Sequence, residues 1–483
     1  MSLSSKKTSG ILCHFTSLPT PYGVGDFGPI SYNFIDKLVS GNQTYWQVLP
    51  IGNTGGTGCP YATDSAFGCA DYLVSPELLI KDYGLNADAF TKYFLETEKI
   101  DFQKITTNKR AILESVYTKF KPSEDYYAFL DNEKSWLSAY CTFRALYETR
   151  GLEWTEWPSF NEAQDSLTEK EKSLVEYNKF VQFTCFKQLS ALKKYANSKN
   201  IKLIGDLPIF VSYYSMDVWQ NPEQFVLNKE TLDMDIETGA APDGFSATGQ
   251  KWGTPIYDWE YQKKNKYQWW NDRLGFLKRY LDVVRIDHFR GFCDTWVSKL
   301  TEPDASGGYW YPGPRADLFN HLTQTPEIIA EDLGLITQDV YDLRDQFNFP
   351  GMTIFQFMLG DSSNPHKMIN HTANSIFYSG THDNDTLMGW FNSLTEQEKG
   401  YIESELELKN PDNWMMLAKL MESKANMVVI QVQDLLALGT EARFNYPGTV
   451  QDTNWTWKLT PSLFEKIDWP KLSALTAAAK RAL

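Results

Sequence analysis

Short apolar runs alternate with stretches of helical periodicity along most of the 483 residues. ILCHFTSLP (11–19) and TYWQVLP (44–50) read as buried strands, and SYNFIDKLVS (31–40) between them spaces its apolar residues as a helix does, which makes a β-α-β unit. The alternation resumes at IKLIGDLPIFV (201–211), DVVRIDHF (282–289), EIIAEDL (327–333), MTIFQFM (352–358), SIFYSGTHD (375–383) and MVVIQVQDLL (427–436). Helices are predicted over 169–199, 266–281, 315–324 and 337–347. About eight strands separated by helices predict one α/β domain over residues 1–483, a parallel (β/α)8 barrel.

Two stretches break the rhythm. Residues 84–170 are charged, strand-poor and helical in spacing, and are expected to form a helical insertion packed on the barrel. Residues 212–264 are rich in Gly, Pro and Trp and are expected to form a long ordered loop over the strand ends. A Gly-rich segment, IGNTGGTGCPYATDSAFG (51–68), lacks the GxxxxGK[ST] spacing of a phosphate loop; its glycines suit tight turns or close approach of backbone to a ligand.

Composition removes several function classes. With 46 Lys+Arg against 61 Asp+Glu the net charge is -15, the wrong sign for a nucleic-acid partner. No apolar run is long enough to span a bilayer, and MSLSSKKTSGILCHF has no apolar core behind its basic residues, so neither a membrane partner nor a secretory leader is expected. The six cysteines form no CxxC pair, which speaks against zinc and for a reducing cytoplasm. Aromatics make up 15%, enough for either a ring-rich core or platforms for sugar rings, and composition does not separate the two.

The chemistry lies in three carboxylates. VVRIDHFRG, EIIAEDLG and IFYSGTHDND each end a predicted strand, at Asp287, Glu331 and Asp383. In a barrel every strand's C-terminal end opens onto one face, so the three should meet around one cleft. An acid and a second carboxylate suit cleavage of a glycosidic bond: one protonates the departing oxygen, the other attacks or stabilises the anomeric carbon. Arg285 stands two residues before Asp287 and shares its strand face. His288 and His382 adjoin two of these carboxylates. Taken singly, each carboxylate could instead be a helix cap or turn former. Together they could hold a divalent metal, which Arg285 disfavours.

RIDHFRG, AEDLG and GTHDND together resemble the 4-α-glucanotransferases, also called amylomaltases or disproportionating enzymes. SGILCHFTSLPTPYGVGDFG, YWQVLPIG, CPYATDSAF, GDLPIFV, APDGFSATGQKWG, FPGMTIFQF and QDLLALGTEARFNYPG extend the resemblance in the family's order. It implies a retaining double displacement on α-1,4-glucans, with Asp287 as nucleophile, Glu331 as acid/base and Asp383 holding the sugar beside the cut. Arg285, His288, His382 and Asn384 would bind hydroxyls around it. Tyr61, Asp206, Asp243, Phe245, Ser246, Gln250, Trp252 and Asn445 would lie along the glucan. No metal or organic cofactor is implied; the partners are maltooligosaccharides, and the chain is expected to be a monomer or homodimer. Tyr214, Gly244, Thr254 and Ala62 depart from the family's usual residues in loops, which bears on subsite affinity and product size rather than bond chemistry. Two rivals stay open here: a hydrolase of the same barrel class, and a non-catalytic glucan-binding protein.

Overall fold

The computed structural model describes residues 6–151, 153–243 and 246–482. Its strands are β1 (Thr8–Leu12), β2 (Tyr45–Gln47), β3 (Lys202–Pro208), β4 (Ile236–Ala240), β5 (Gln250–Lys251) and β6 (Val283–Asp287). After them come β7 (Asp294–Lys299), β8 (Tyr309–Pro312), β9 (Glu327–Ala330), β10 (Gly351–Ile354), β11 (Ser375–Tyr378) and β12 (Met427–Gln431). Eight of these form one sheet in the order β10-β11-β12-β1-β2-β3-β6-β9, with every pair parallel. The two end strands meet where the Ala330 N–H donates to the Pro350 carbonyl at 3.0 Å, which closes the sheet into a (β/α)8 barrel.

Helices cover the outside of the barrel and side chains fill its inside, so the strands are apolar without alternation. All five residues of β12, MVVIQ, are buried. Ile11, Trp46, Leu203, Val284, Ile329 and Val429 have no exposed surface. The barrel strands are shorter than the apolar runs that predict them. After Leu12, for example, the chain turns into a short 3-10 segment, Phe15–Ser17, that is wholly buried. Burial continues past the end of each strand because the loops above are themselves covered.

Those loops build a second sheet that the apolar pattern does not predict. It is antiparallel, in the order β5-β4-β7-β8. Strands β4 and β5 come from 212–264, so that stretch is not loop throughout; it also carries the helices Met216–Gln220 and Trp259–Lys264. Within 84–170 the chain forms the helices Phe102–Tyr117, Glu124–Asn132, Leu137–Arg150 and Phe160–Ser166. They pack on the long helix Glu169–Ser198 through rings such as Phe129 on Phe183 and Trp136 on Phe186. No helix among the described residues is long and apolar enough to cross a membrane.

One buried ion pair ties the helical region to the barrel. Lys109 donates to Asp26 at 2.9 Å and to the Val74 carbonyl at 2.7 Å, and both side chains are almost wholly enclosed. Removing the lysine alone leaves an uncompensated carboxylate in the interior. Lys109→Met should therefore lose about 3–5 kcal/mol of stability. Adding Asp26→Asn, which removes the stranded charge, should recover much of it. Urea midpoints of the single and double variants check this, and a Lys109→Met midpoint equal to that of the parent would contradict it.

Candidate active site

The C-terminal ends of the barrel strands surround a cavity of about 700 Å³ whose lining includes Asp287, Glu331 and Asp383. The site is built from the floor up. Asp206 on β3 lies opposite Arg285 on β6 in the parallel register. Arg285 Nη1 donates to both Asp206 oxygens, at 2.8 and 2.7 Å, and Arg285 Nη2 forms an ion pair with Asp287 Oδ1 at 2.8 Å. The Tyr61 hydroxyl donates to Asp206 Oδ2 at 3.0 Å. Arg285 and Asp206 are enclosed, whereas the Asp287 side chain is 29% exposed and reaches the cavity. A sequence gap of two residues within a strand thus becomes a guanidinium clamp on one carboxylate. Asp206, expected along the glucan, does not line the cavity; it spends its oxygens on Arg285 and Tyr61 beneath it.

Immediately after β6 the backbone of His288 takes a left-handed conformation, φ 54°. That turn aims the His288 N–H at Glu331 Oε2, 2.7 Å away, while the Leu333 N–H donates to Oε1 at 2.8 Å. Burial pushes Glu331 up to about 8; Arg285 opposes the shift, the nearby Asp287 charge adds to it, and the two backbone donors moderate it. At neutral pH the protonated acid therefore predominates. The His288 ring stands edge-on to Trp252, centroids 4.9 Å apart. Burial holds His288 down to about 4, so the ring is neutral at neutral pH.

Asp383 follows β11. Asn445 Nδ2 donates to its Oδ1 at 2.6 Å, and His382 Nε2 lies 3.3 Å from its Oδ2. The protein around Asp383 resists ionisation, but His382 and Asn445 outweigh that and hold it down to about 2. Its attraction raises His382 above the ordinary histidine value against the cost of burial. Tyr61 stacks on the His382 ring at 5.2 Å and so links this wall to the Asp206–Arg285 floor.

Trp252 and Gln250 line the opposite wall, with the indole N–H donating to Gln250 Oε1 at 3.1 Å. Asp243 also lines the cavity. Ser246 does not; its N–H donates to Asp243 Oδ1 and its hydroxyl to the Gly249 carbonyl, which fastens the loop. Asn384 lines the cavity and accepts from the Thr381 N–H and hydroxyl. Phe245 lies outside the described residues. Trp310, Arg290 and Trp455 also line the cavity and are not among the residues the sequence singles out. The Arg290 guanidinium sits 3.8 Å over the Trp310 ring, and Trp455 packs near both Tyr61 and His382. YWYP and NWTW were the available signals, but an isolated Trp in a loop reads equally well as core.

Known proteins resemble this chain over nearly its whole length. A family profile described as 4-alpha-glucanotransferase, Glyco_hydro_77, matches residues 13–463. The 4-alpha-glucanotransferase of Clostridium butyricum is 41% identical over 468 residues, covering 93% of this chain and 96% of that protein. That of Synechocystis is 37% identical over 490 residues, covering 96% and 95%. The structure of an amylomaltase from Streptococcus agalactiae in complex with acarbose superposes with a TM-score of 0.93 at 34% identity, covering 99% of this chain and all of that one. A carboxylate-lined cleft on a closed barrel and these matches agree: the chain belongs to the 4-alpha-glucanotransferase family.

Proposed function

We propose that this enzyme moves α-1,4-glucan segments between maltooligosaccharides by a retaining double displacement, with Asp287 as nucleophile, Glu331 as acid/base and Asp383 as the grip on the sugar. An Asp287 oxygen attacks the anomeric carbon as the bond from that carbon to the departing O4 breaks. Glu331 gives its proton to that oxygen, and a covalent glucosyl ester remains on Asp287. The 4-hydroxyl of a second glucan then enters. Glu331, now ionised, takes its proton, the new O4 attacks the same carbon, and the Asp287 carboxylate departs. Two inversions restore the α configuration.

The observation that carries this reading is the unequal pair at one cavity: Glu331 is buried, which pushes its carboxyl up, while Asp287 is open to the cavity and clamped by Arg285. Asp383, kept anionic by His382 and Asn445, is suited to gripping sugar hydroxyls rather than exchanging protons. His288, as a neutral ring, and Asn384 both line the cavity and supply further polar contacts. Trp252 supplies an apolar ring for a pyranose face. Asp206 is assigned to holding Arg285 in place, and Ser246 to shaping the loop that carries Asp243 and Gln250. The reading places the enzyme in a reducing cytoplasm as a monomer or homodimer, in keeping with its six unpaired cysteines.

Transfer and hydrolysis share the covalent intermediate, so product analysis separates them. On maltotriose the expected products are glucose and longer maltodextrins, with the number of reducing ends constant. A steady rise in reducing ends would identify a hydrolase, and unchanged maltotriose would leave only a binding protein.

A further inference from the structure

A second, smaller pocket shares His382 with the substrate cavity as a lining residue. Its volume is about 20 Å³, room for one water, and its lining includes His14, His382, Gln431 and Gln433, all buried. His382 uses Nε2 on Asp383, and its Nδ1 is bonded to no described residue. His14 accepts the Leu49 N–H at Nδ1, 3.1 Å away, so in its neutral form its own proton sits on Nε2. Gln431 spends its amide N–H on the Asp385 carbonyl and Gln433 on the Ala442 carbonyl, which leaves their Oε1 atoms as acceptors.

We propose that this pocket is a water site in which one water accepts from His14 Nε2–H and, in the protonated form of His382, from its Nδ1–H, and donates to Gln431 and Gln433, making His14 a positioning residue for His382. Two donors and two acceptors match the four hydrogen bonds of a water molecule. The site supplies the partner that a doubly protonated His382 needs, and so steadies the contact of Nε2 with Asp383. His382 also faces Asp383 on its own loop, Asp206 on β3, Arg285 on β6 and the rings of Tyr61 and Trp455. Burial, then the proximity of His382, pushes His14 down to about 3, so His14 stays neutral and acts as a fixed donor rather than a rival charge. The role in catalysis rests on the transferase reading above; the water site itself does not.

The test is titration of His382 by NMR in the full-length enzyme labelled with 15N-histidine, assigned with His382→Gln. His14→Asn keeps an acceptor for the Leu49 N–H and loses the Nε2 donor; His14→Gln keeps a donor at that depth; Gln433→Leu removes one acceptor. In His14→Asn and Gln433→Leu the His382 titration should move down by about one pH unit, an amount equivalent to a tenfold change in proton affinity. His14→Gln should restore most of that shift. In the same variants turnover of maltotriose should fall about tenfold with KM little changed, which loss of packing alone would not produce. A His382 titration unchanged in folded His14→Asn and Gln433→Leu would overturn the water site, whatever the activity. A shifted titration in an enzyme with no transferase activity would overturn the transferase reading and leave the site standing.

Discussion

Asp287→Asn should leave a folded protein whose turnover of maltotriose is lower by about four orders of magnitude or more, a barrier increase of at least about 5 kcal/mol. The amide has the shape of the carboxylate and can still accept from Arg285 Nη2 through its oxygen, so the clamp with Asp206 below it survives. What is lost is the oxygen proposed to bond to the anomeric carbon. The cavity lining, including Glu331, Asp383 and Trp252, is untouched, so maltotriose binding measured by calorimetry should change far less than turnover. Activity within tenfold of the parent, with the melting temperature unchanged, would remove Asp287 from the chemistry.

Glu331→Gln should lower turnover on natural glucans by about two to four orders of magnitude, the usual worth of a positioned general acid. Its effect should depend on the leaving group. A maltosyl fluoride expels fluoride without needing a full proton, so the first displacement should be nearly spared and the second, which needs Glu331 as base, should become limiting. The same residue should set a pH limit. Its raised value, about 8, means the proton is present below that pH and is lost above it. In the parent, kcat/KM on maltotriose should hold through neutrality and fall about tenfold per unit once pH passes about 8; the limb should vanish in the residual activity of Glu331→Gln. A parent profile flat to pH 10, or a limb that persists in the variant, would assign the proton transfer elsewhere.

The barrel was legible because its strands are buried on both faces. Runs such as VVRID and MVVIQ stand out in any window, and each hands over to a helix. Their ends were not legible, since Phe15 and Leu18 are as buried as the strand before them. The antiparallel sheet left little trace: β5 is two residues long and meets only the end of β4, and most of IETGA in β4 pairs with β7, far along the chain, so no local alternation marks it. In the site, Asp287, Glu331 and Asp383 could be placed on one face by strand-end logic alone. Whether Asp206 faces a sugar or a guanidinium could not, because its partner Arg285 lies 79 residues away and only the β3–β6 register brings the two together. The raised value of Glu331 likewise depends on enclosure by residues scattered along the chain. The small pocket that His382 lines joins the ends of β1 and β12, which no motif connects.

The most direct measurement is the mass of Glu331→Gln after reaction with α-maltosyl fluoride, followed by peptide mapping. Attack by Asp287 and loss of fluoride should leave one maltosyl residue bound to the protein, on the peptide that contains Asp287, because the second displacement has lost its base. Consumption of the fluoride with no bound sugar, or sugar bound to any other residue, would contradict a double displacement through Asp287.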